Sequence, residues 1–595
     1  MTNETKTCQN CRGSFIIEPG DFDFYKKIDV PPPTWCPECR TIRRLLWLNS
    51  RSLFKRPCQA PGHSEVLVAK YHPNAKRVVY DKEYWWSDKW DPTTFGCEYD
   101  FSRPFLEQFN QLLEQVPVRD LNTVNSVNCD YCQSAVESKD CYMCVGGYRS
   151  ERCFYSDTPV ACKDCFDSYM VIGCDSVYEG FQCNRSFNVN FCSFCDDCID
   201  STFLFDCRNC SNCFGCVSLR NKSYYIFNKP FTKEEYQVAV GDLTVGSYRS
   251  LEGLKNRFEE FKLKFPRKFA FVTKTENVTG DVIENARNCF HCFEIKSGAE
   301  NCKYLVTGGF DIKDSYDVVA GGAKSESLYE ALGVGPNCQN VLFSSRIQES
   351  FDIRYSAECY TNAHLFGCVS LRNKKYCVLN KQYSKEEYDA LIPRIIEHMN
   401  AMPYVDSMGR EYRYGEFFPP ELSPFAFNQS DAQEFFDYSK GEAERRGYRW
   451  GEEPARGSHE GEAKAISVPD NISDVPDSIL DGIIECSHAG QCGERCSGIF
   501  RLVPQELAFY RKKNLPLPRL CPSCRMFERL KKKNPIKLWH RTCQCEGAHS
   551  SGGIYQNTGV HHHGEGKCEN EFETSYSPNR KEVVYCEECY QAEVV

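Results

Sequence analysis

The sequence predicts a mainly β chain: two β-solenoid domains flanked by small metal-stapled modules, with a few capping helices. Three observations carry this reading. Cys132, Cys153, Cys174, Cys195 and Cys216 stand 21 residues apart without interruption, and Cys141, Cys162 and Cys183 share the step. A fixed period of about 20–50 residues marks a repeat architecture. The nine residues from Phe214 to Lys222 return from Phe366 to Lys374, displaced by 152. Finally, Phe509 to Cys543 aligns without a gap to Phe24 to Cys58, displaced by 485, so the two ends of the chain are copies.

The 21-residue unit is read as one solenoid coil. Cys144, Cys165 and Cys207 form a third column, with Ser186 in its gap, and Cys129, Cys192 and Cys213 a fourth. Coils stacked about 4.8 Å apart set equivalent residues above one another. The columns are then inward ladders of small, well-packing thiols. The competing reading is a stack of metal or redox sites, since Cys129/Cys132 and Cys141/Cys144 are two CxxC pairs. Ser150, Val171, Leu204, Tyr225 and Asn228 interrupt the later coils, and apolar replacements suit a core but ruin a ligand set. The first solenoid spans 129–236 and the second 285–388. The second keeps Cys289, Cys292, Cys338 and Cys359 but loses most other grid positions. One fold built with and without thiols argues against thiols as the function. Gly308-Gly309 and Gly321-Gly322 are solenoid turns before they are phosphate loops.

A chain of 595 residues implies several domains. No apolar run is long enough for a membrane span, and Met1 to Lys6 lacks an apolar signal core. Thirty-nine cysteines without such a signal point to a reducing, cytoplasmic compartment. The net charge of −10 argues against broad coating of nucleic acid, although two segments are basic.

Residues 1–58 read as a zinc ribbon followed by a basic helix. Cys8-x2-Cys11 and Cys36-x2-Cys39 offer four thiolates to one tetrahedral ion and leave no open position, so the zinc is structural. So small a module needs such a staple. Arg40, Arg43, Arg44 and Arg51 follow among Leu45, Trp47 and Leu48. They suit phosphate contact, or a solvated helix face above a packed one. Residues 59–128 hold the aromatic patch Tyr84 to Trp90, read as core before base-stacking surface. The segment Ser102 to Gln115 reads as a helix covering the open end of the first solenoid. Residues 237–284 form a helical connector, with an amphipathic helix from Tyr248 to Phe265. Another helix runs from Lys385 to Met399, 389–439 wrap the second solenoid, and 440–480 form a flexible linker.

Residues 481–595 repeat the opening module. Cys492-x3-Cys496 and Cys521-x2-Cys524 supply its knuckles, with Cys486 as an alternative ligand. Arg525, Arg529, Lys531, Lys532 and Lys533 make the following segment more basic than its twin. A further site is complete only here: Cys543, Cys545, Cys568, Cys586 and Cys589 are five thiols for four positions, with His561–His563 nearby. The N-terminal copy has Asp81 and Tyr84 in place of Cys586 and Cys589. The expectation is about three structural zinc ions, one N-terminal and two C-terminal.

Four motifs carry a resemblance: Cys36-Pro37-Glu38-Cys39-Arg40, Tyr84-Trp85-Trp86-Ser87-Asp88, Glu421-Leu422-Ser423-Pro424-Phe425 and Phe572-Glu573-Thr574-Ser575-Tyr576. Over nearly its whole length the chain resembles a cysteine-rich family of candidate-phyla bacteria, and its first module resembles short bacterial zinc-ribbon domains. Neither resemblance implies an activity. Some relatives carry a label of CoA-transferase of the carnitine and bile-acid type. That fold needs βαβ alternation, which this sequence lacks.

The sequence therefore points to a zinc-stapled scaffold whose ribbons bind nucleic acid, RNA or a ribonucleoprotein. A protein-interaction scaffold, or metal storage and thiol redox in the cysteine columns, are the alternatives. No nucleophile elbow, P-loop, Rossmann fingerprint or HExxH motif is present, which leans against an enzyme.

Overall fold

The computed structural model describes residues 2–243, 245–452, 465–547 and 559–594. The chain is mainly β and is built around two β-solenoids, as its repeats predict.

The coil, however, is 12 residues long and not 21. Backbone partners in the first solenoid lie 12 apart, from Val127 with Lys139 to Arg208 with Arg220. The underlying unit has three residues. One points inward, the next pairs with neighbouring turns, and the third turns the corner in left-handed backbone. Asn128, Tyr131, Ser134, Glu137 and Asp140 are such corners, with φ from 50° to 59°. Four sides close a turn. The inward positions Cys132, Ala135, Ser138, Cys141 and Cys144 are all buried. A step of 21 is two turns less one side (24 − 3 = 21). The 21-residue grid therefore visits the four walls in rotation instead of climbing one. A true column runs Cys132, Cys144, Ser156, Ser168, Gly180, Cys192.

This geometry explains the cysteines. Ladder hydrogen bonds are donated by pairing and corner residues, as in Tyr142 N–H to Cys153 C=O and Tyr155 N–H to Tyr142 C=O, both 3.0 Å. The inward N–H points into the narrow core, where a buried donor must find a partner. Where the preceding turn carries a serine, or at Cys132 and Cys162 a cysteine, its side chain supplies it. Ser150 N donates to Ser138 Oγ (3.3 Å), Cys162 N to Ser150 Oγ (3.2 Å) and Cys174 N to Cys162 Sγ (3.5 Å). The same groups then donate to a carbonyl nine residues on: Ser150 Oγ to Pro159 O (2.9 Å) and Cys162 Sγ to Val171 O (3.2 Å). Serine and cysteine are small side chains able to accept and donate at once, and the thiol adds apolar burial.

The second solenoid begins with 13-residue turns (Ala286 with Ala299, Val306 with Val319) and tightens to 12 from Gln339 with Phe351. The serine device persists: Leu328 N donates to Ser315 Oγ and Cys338 N to Ser325 Oγ, both 3.0 Å. Gly309 and Gly322 stack one turn apart at φ 116° and 134°. A Cβ on Gly322 would stand 1.8 Å from the Gly309 carbonyl oxygen, so these glycines serve close backbone approach.

The terminal modules are exchanged between the solenoids. The N-terminal ribbon docks on the second solenoid, where Phe24 stacks on Tyr316 at 3.8 Å and Tyr25 meets Tyr329 at 5.5 Å. The C-terminal ribbon docks on the first, where Phe509 stacks on Phe166 at 3.8 Å and Tyr510 meets Tyr178 at 5.6 Å. Both docks use equivalent surfaces. The solenoids also touch directly: the Tyr169 hydroxyl donates to Glu294 (2.9 Å), and Phe194 stacks at 3.7 Å on Phe271, which leads into the Val272–Lys296 strand, so the second solenoid begins within the segment expected to be a helical connector up to 284.

Two expectations are corrected. The Phe105–Gln115 helix does not close the first solenoid. Phe105 packs on Tyr355 and Phe366 of the second, because its apolar face matches that aromatic wall. The 440–480 segment, apart from 453–464, which lie outside the described residues, is not a free linker. Lys440–Arg445 is helical, and Ile472, Val475 and Ile479 are buried in the core beneath the C-terminal module. In the aromatic patch Tyr84 and Trp85 are buried, as the core reading expects, but Trp86 is 40% exposed and Trp90 is half-buried, so only part of the patch is core.

Candidate metal centres

Each terminal module gathers thiols at the start of a helix. At the N-terminus, Cys36 precedes the Pro37–Leu45 helix and Cys39 sits in its first turn. The opposite knuckle is a tight turn in which Cys8 N–H donates to Gly13 O (2.8 Å) and Arg12 adopts φ 63°. It brings Cys8 and Cys11 to the same point, and the four sulfurs lie within 4.8 Å of one another. Thiolates about 2.3 Å from a tetrahedral zinc stand about 3.8 Å apart. Cys11 Sγ lies 3.7 Å from Cys36 Sγ. The donor set and its spacing fit zinc, and Asn10 Nδ2 donates to Cys39 Sγ (3.3 Å) from the outer shell.

The second ribbon repeats this with one change of ligand. Cys486, Cys496, Cys521 and Cys524 converge, with Cys486 to Cys524 at 3.8 Å and Cys521 to Cys496 at 3.9 Å. The convergent set thus takes Cys486, the alternative ligand, together with Cys496, while Cys492 of the expected pair stands beside it. Cys486 N–H donates to Gly498 O as Cys8 N–H does to Gly13 O. Between the paired cysteines the C-terminal knuckle carries seven more residues (496 − 486 = 10 against 11 − 8 = 3). Cys492 lies in that insertion. It reaches Cys524 at 3.6 Å and forms a neighbouring group with His488 and Glu494.

At the third centre Cys543, Cys568, Cys586 and Cys589 are all buried and lie within 4.8 Å of one another. Cys543 follows the Trp539–Thr542 strand, and Cys589 lies in the first turn of the Glu587–Val594 helix. Cys568 Sγ is 4.0 Å from Cys586 Sγ, Cys586 N donates to Cys543 Sγ (3.2 Å), and Asn570 Nδ2 donates to Cys586 Sγ (3.5 Å). In the N-terminal copy Asp81 replaces Cys586. Its carboxylate caps the Lys82–Trp86 helix by accepting from Glu83 and Tyr84 N–H, so a side-chain cap stands where the C-terminal copy has its thiol cluster.

Hydrogen bonds from neighbouring thiols lower one thiol in each centre: Cys8 beside Cys36 and Cys39, Cys521 to about 4 beside Cys524, and Cys586 to about 4 beside Cys543. The same happens inside the solenoids, where Cys162 is lowered to about 4 beside Cys165 and Cys174 and Cys289 to about 4 beside Cys292 and Cys302, while burial pushes isolated thiols such as Cys338 up to about 11.

The cations expected to meet phosphate are turned inward. Arg40 and Arg44 pair with Asp317 (2.8 and 3.0 Å), Arg43 and Arg44 with Glu330 (both 2.6 Å), and Arg43 with Glu416 (2.7 Å), all buried. Arg525 and Arg529 both pair with Asp167 at 2.7 Å, and Arg525 with Glu506 at 3.1 Å, again buried. Arg51 joins Asp157 and Glu434. Lys533 is nearly buried against Glu294 (2.9 Å), and Lys532 faces Glu179 (3.5 Å). Lys531 is the more open one, paired with Glu494 and Glu528. The nucleic-acid assignment of the buried arginines is therefore corrected. Their helices are amphipathic with the basic side against the solenoid, where acidic corner residues receive it. The acids sit at equivalent corners: Asp167 and Asp317 are 150 apart, Glu179 and Glu330 are 151 apart, and all four have positive φ.

No family model matches the chain, and no curated protein does. Among solved structures, a Desulfovibrio desulfuricans G20 protein provisionally named an acetyltransferase is similar at a TM-score of 0.10 and 10% identity, covering 52% of this chain and 74% of its own. Likeness at that level carries neither fold nor activity across. Among the described residues no helix is long and apolar enough to cross a membrane.

Proposed function

We propose that this protein is a non-enzymatic scaffold in which zinc-held terminal modules lock two β-solenoids together, and whose outer faces engage a protein partner. One observation carries the reading: thiol centre, helix and arginine clamp form a single chain of contacts in both modules. Cys36 and Cys39 fix the helix that sends Arg40, Arg43 and Arg44 into the second solenoid. Cys521 and Cys524 do the same for Arg525 and Arg529 on the first. Zinc suits four-sulfur tetrahedral sets with no open position.

A protein partner fits the outer faces better than nucleic acid does. Corner side chains pair up the stack: Arg152–Asp164 (2.7 Å) and Arg185–Asp197 (2.8 Å) neutralise charge locally, and Asn128–Asp140 (2.9 Å) leaves a carboxylate rather than a cation, so no basic stripe is gathered there. A titration of fluorescent single-stranded RNA at low salt tests this. The expected result is no binding above background, for wild type and for the triple variant Lys531→Glu, Lys532→Glu, Lys533→Glu alike. Tight binding that falls steeply with salt and is lost in the triple variant would restore the nucleic-acid reading.

A further inference from the structure

We propose that the third centre is a two-metal cluster bridged by the Cys589 thiolate, a step that rests on the terminal thiols being metal ligands. Five thiols for four positions leave one cysteine over, and the structure shows where it goes. Cys545, His561, His563 and Cys589 form a second set whose donor atoms lie within 4.8 Å of one another, beside the set of Cys543, Cys568, Cys586 and Cys589. Cys589 belongs to both. Two tetrahedral ions sharing one ligand need seven donors (4 + 4 − 1 = 7), and the two sets together supply seven.

The imidazoles are set as ligands. His561 Nδ1 lies 3.5 Å from Cys545 Sγ, while its Nε2 faces the Glu593 carboxylate at 3.3 Å, both side chains buried. A carboxylate behind the ring is the usual device for orienting a metal-bound histidine. His563 Nδ1–H donates to Gly566 O (2.7 Å), which leaves Nε2 as the lone-pair nitrogen. That Nε2 is buried without a hydrogen-bond partner, the condition of a nitrogen facing an ion. Cys589 is fully buried, and its N–H donates to Cys586 Sγ (3.5 Å), which fixes its turn between the two sets. Charge agrees. One divalent ion on four thiolates buries a net charge of −2, whereas two ions on five thiolates and two neutral imidazoles bury −1, the lesser desolvation cost. Every position is filled by protein, so the cluster is structural, for zinc or another thiophilic divalent ion.

Native mass spectrometry of full-length protein purified under reducing conditions with zinc, and 113Cd NMR of the cadmium-exchanged protein, test the cluster. Four ions per chain are expected, one in each ribbon and two here, with two cadmium resonances coupled through the shared sulfur. His563→Ala and Cys545→Ser should each leave three ions and abolish the coupling. Cys589→Ser should leave two. Three ions in wild type without coupling, or four ions unchanged in both His563→Ala and Cys545→Ser, would overturn the bridge while leaving the single-ion reading in place. No ions at all would instead overturn the stapled-scaffold reading on which it rests.

Discussion

At the scale of the residue, the solenoid cysteines act as hydrogen-bonding filler. Cys162 accepts from Cys174 N–H and donates to the Val171 carbonyl, the pattern that Ser150 follows one turn earlier. Cys162→Ser should therefore keep both bonds and change stability by less than about 1 kcal/mol, whereas Cys162→Ala should orphan a buried N–H and cost about 1–3 kcal/mol. Denaturant unfolding of the two variants checks this, and metal content should be unchanged in both. A large loss in the serine variant accompanied by loss of metal would mean that the column binds ions.

At the scale of the element, each ribbon helix is held by charge on solenoid corners. Glu179 shows the sign of the effect. Burial raises its carboxyl, but Lys255, Lys532 and Arg529 overcome this and hold it at about 2, below its ordinary 4.5. A carboxylate depressed in the folded state gives stability that is present above pH 4.5 and lost as pH falls through 2. The contribution is at most about 3.4 kcal/mol. In thermal unfolding between pH 7 and pH 3, Glu179→Gln should flatten this part of the profile relative to wild type. An unchanged slope would remove Glu179 from the clamp. This docking was only half legible in the sequence. Arg40 and Arg525 stood out as matched basic residues, but nothing local said that Asp317 and Asp167, far along the chain, would receive them. The same holds for the knuckles: Cys492 and Cys496 have the better local spacing, yet it is Cys486, whose N–H repeats the Cys8 turn, that converges with Cys496, Cys521 and Cys524.

At the scale of the whole molecule, duplication was plain in the sequence and its arrangement was not. Matching the two ends and the two repeat blocks does not reveal that each ribbon crosses to the solenoid more distant in the chain, because that choice is made by long-range packing of Phe24 on Tyr316 and Phe509 on Phe166. The coil length was hidden for a different reason. The inward positions recur every three residues, and cysteine shares them with serine, valine, leucine and glycine. Any spacing divisible by three can then look like a period, and the 21-residue step is such an alias of the 12-residue turn. The solenoid itself was legible because β-rich composition and strict repetition survive the alias.

The central claim divides the cysteines into two populations: terminal thiols that hold metal and clamp the molecule, and solenoid thiols that serve the backbone. Hydrogen-exchange mass spectrometry with and without a strong zinc chelator, under reducing conditions, separates the two. The account predicts that chelation raises exchange in residues 8–45 and 486–594 and at the surfaces beneath them around Tyr316 and Phe166, while the inward amides of Cys144, Cys162 and Cys174 stay protected. Loss of protection along the solenoid cores at the same chelator concentration would contradict it, and would place the metal in the cysteine columns.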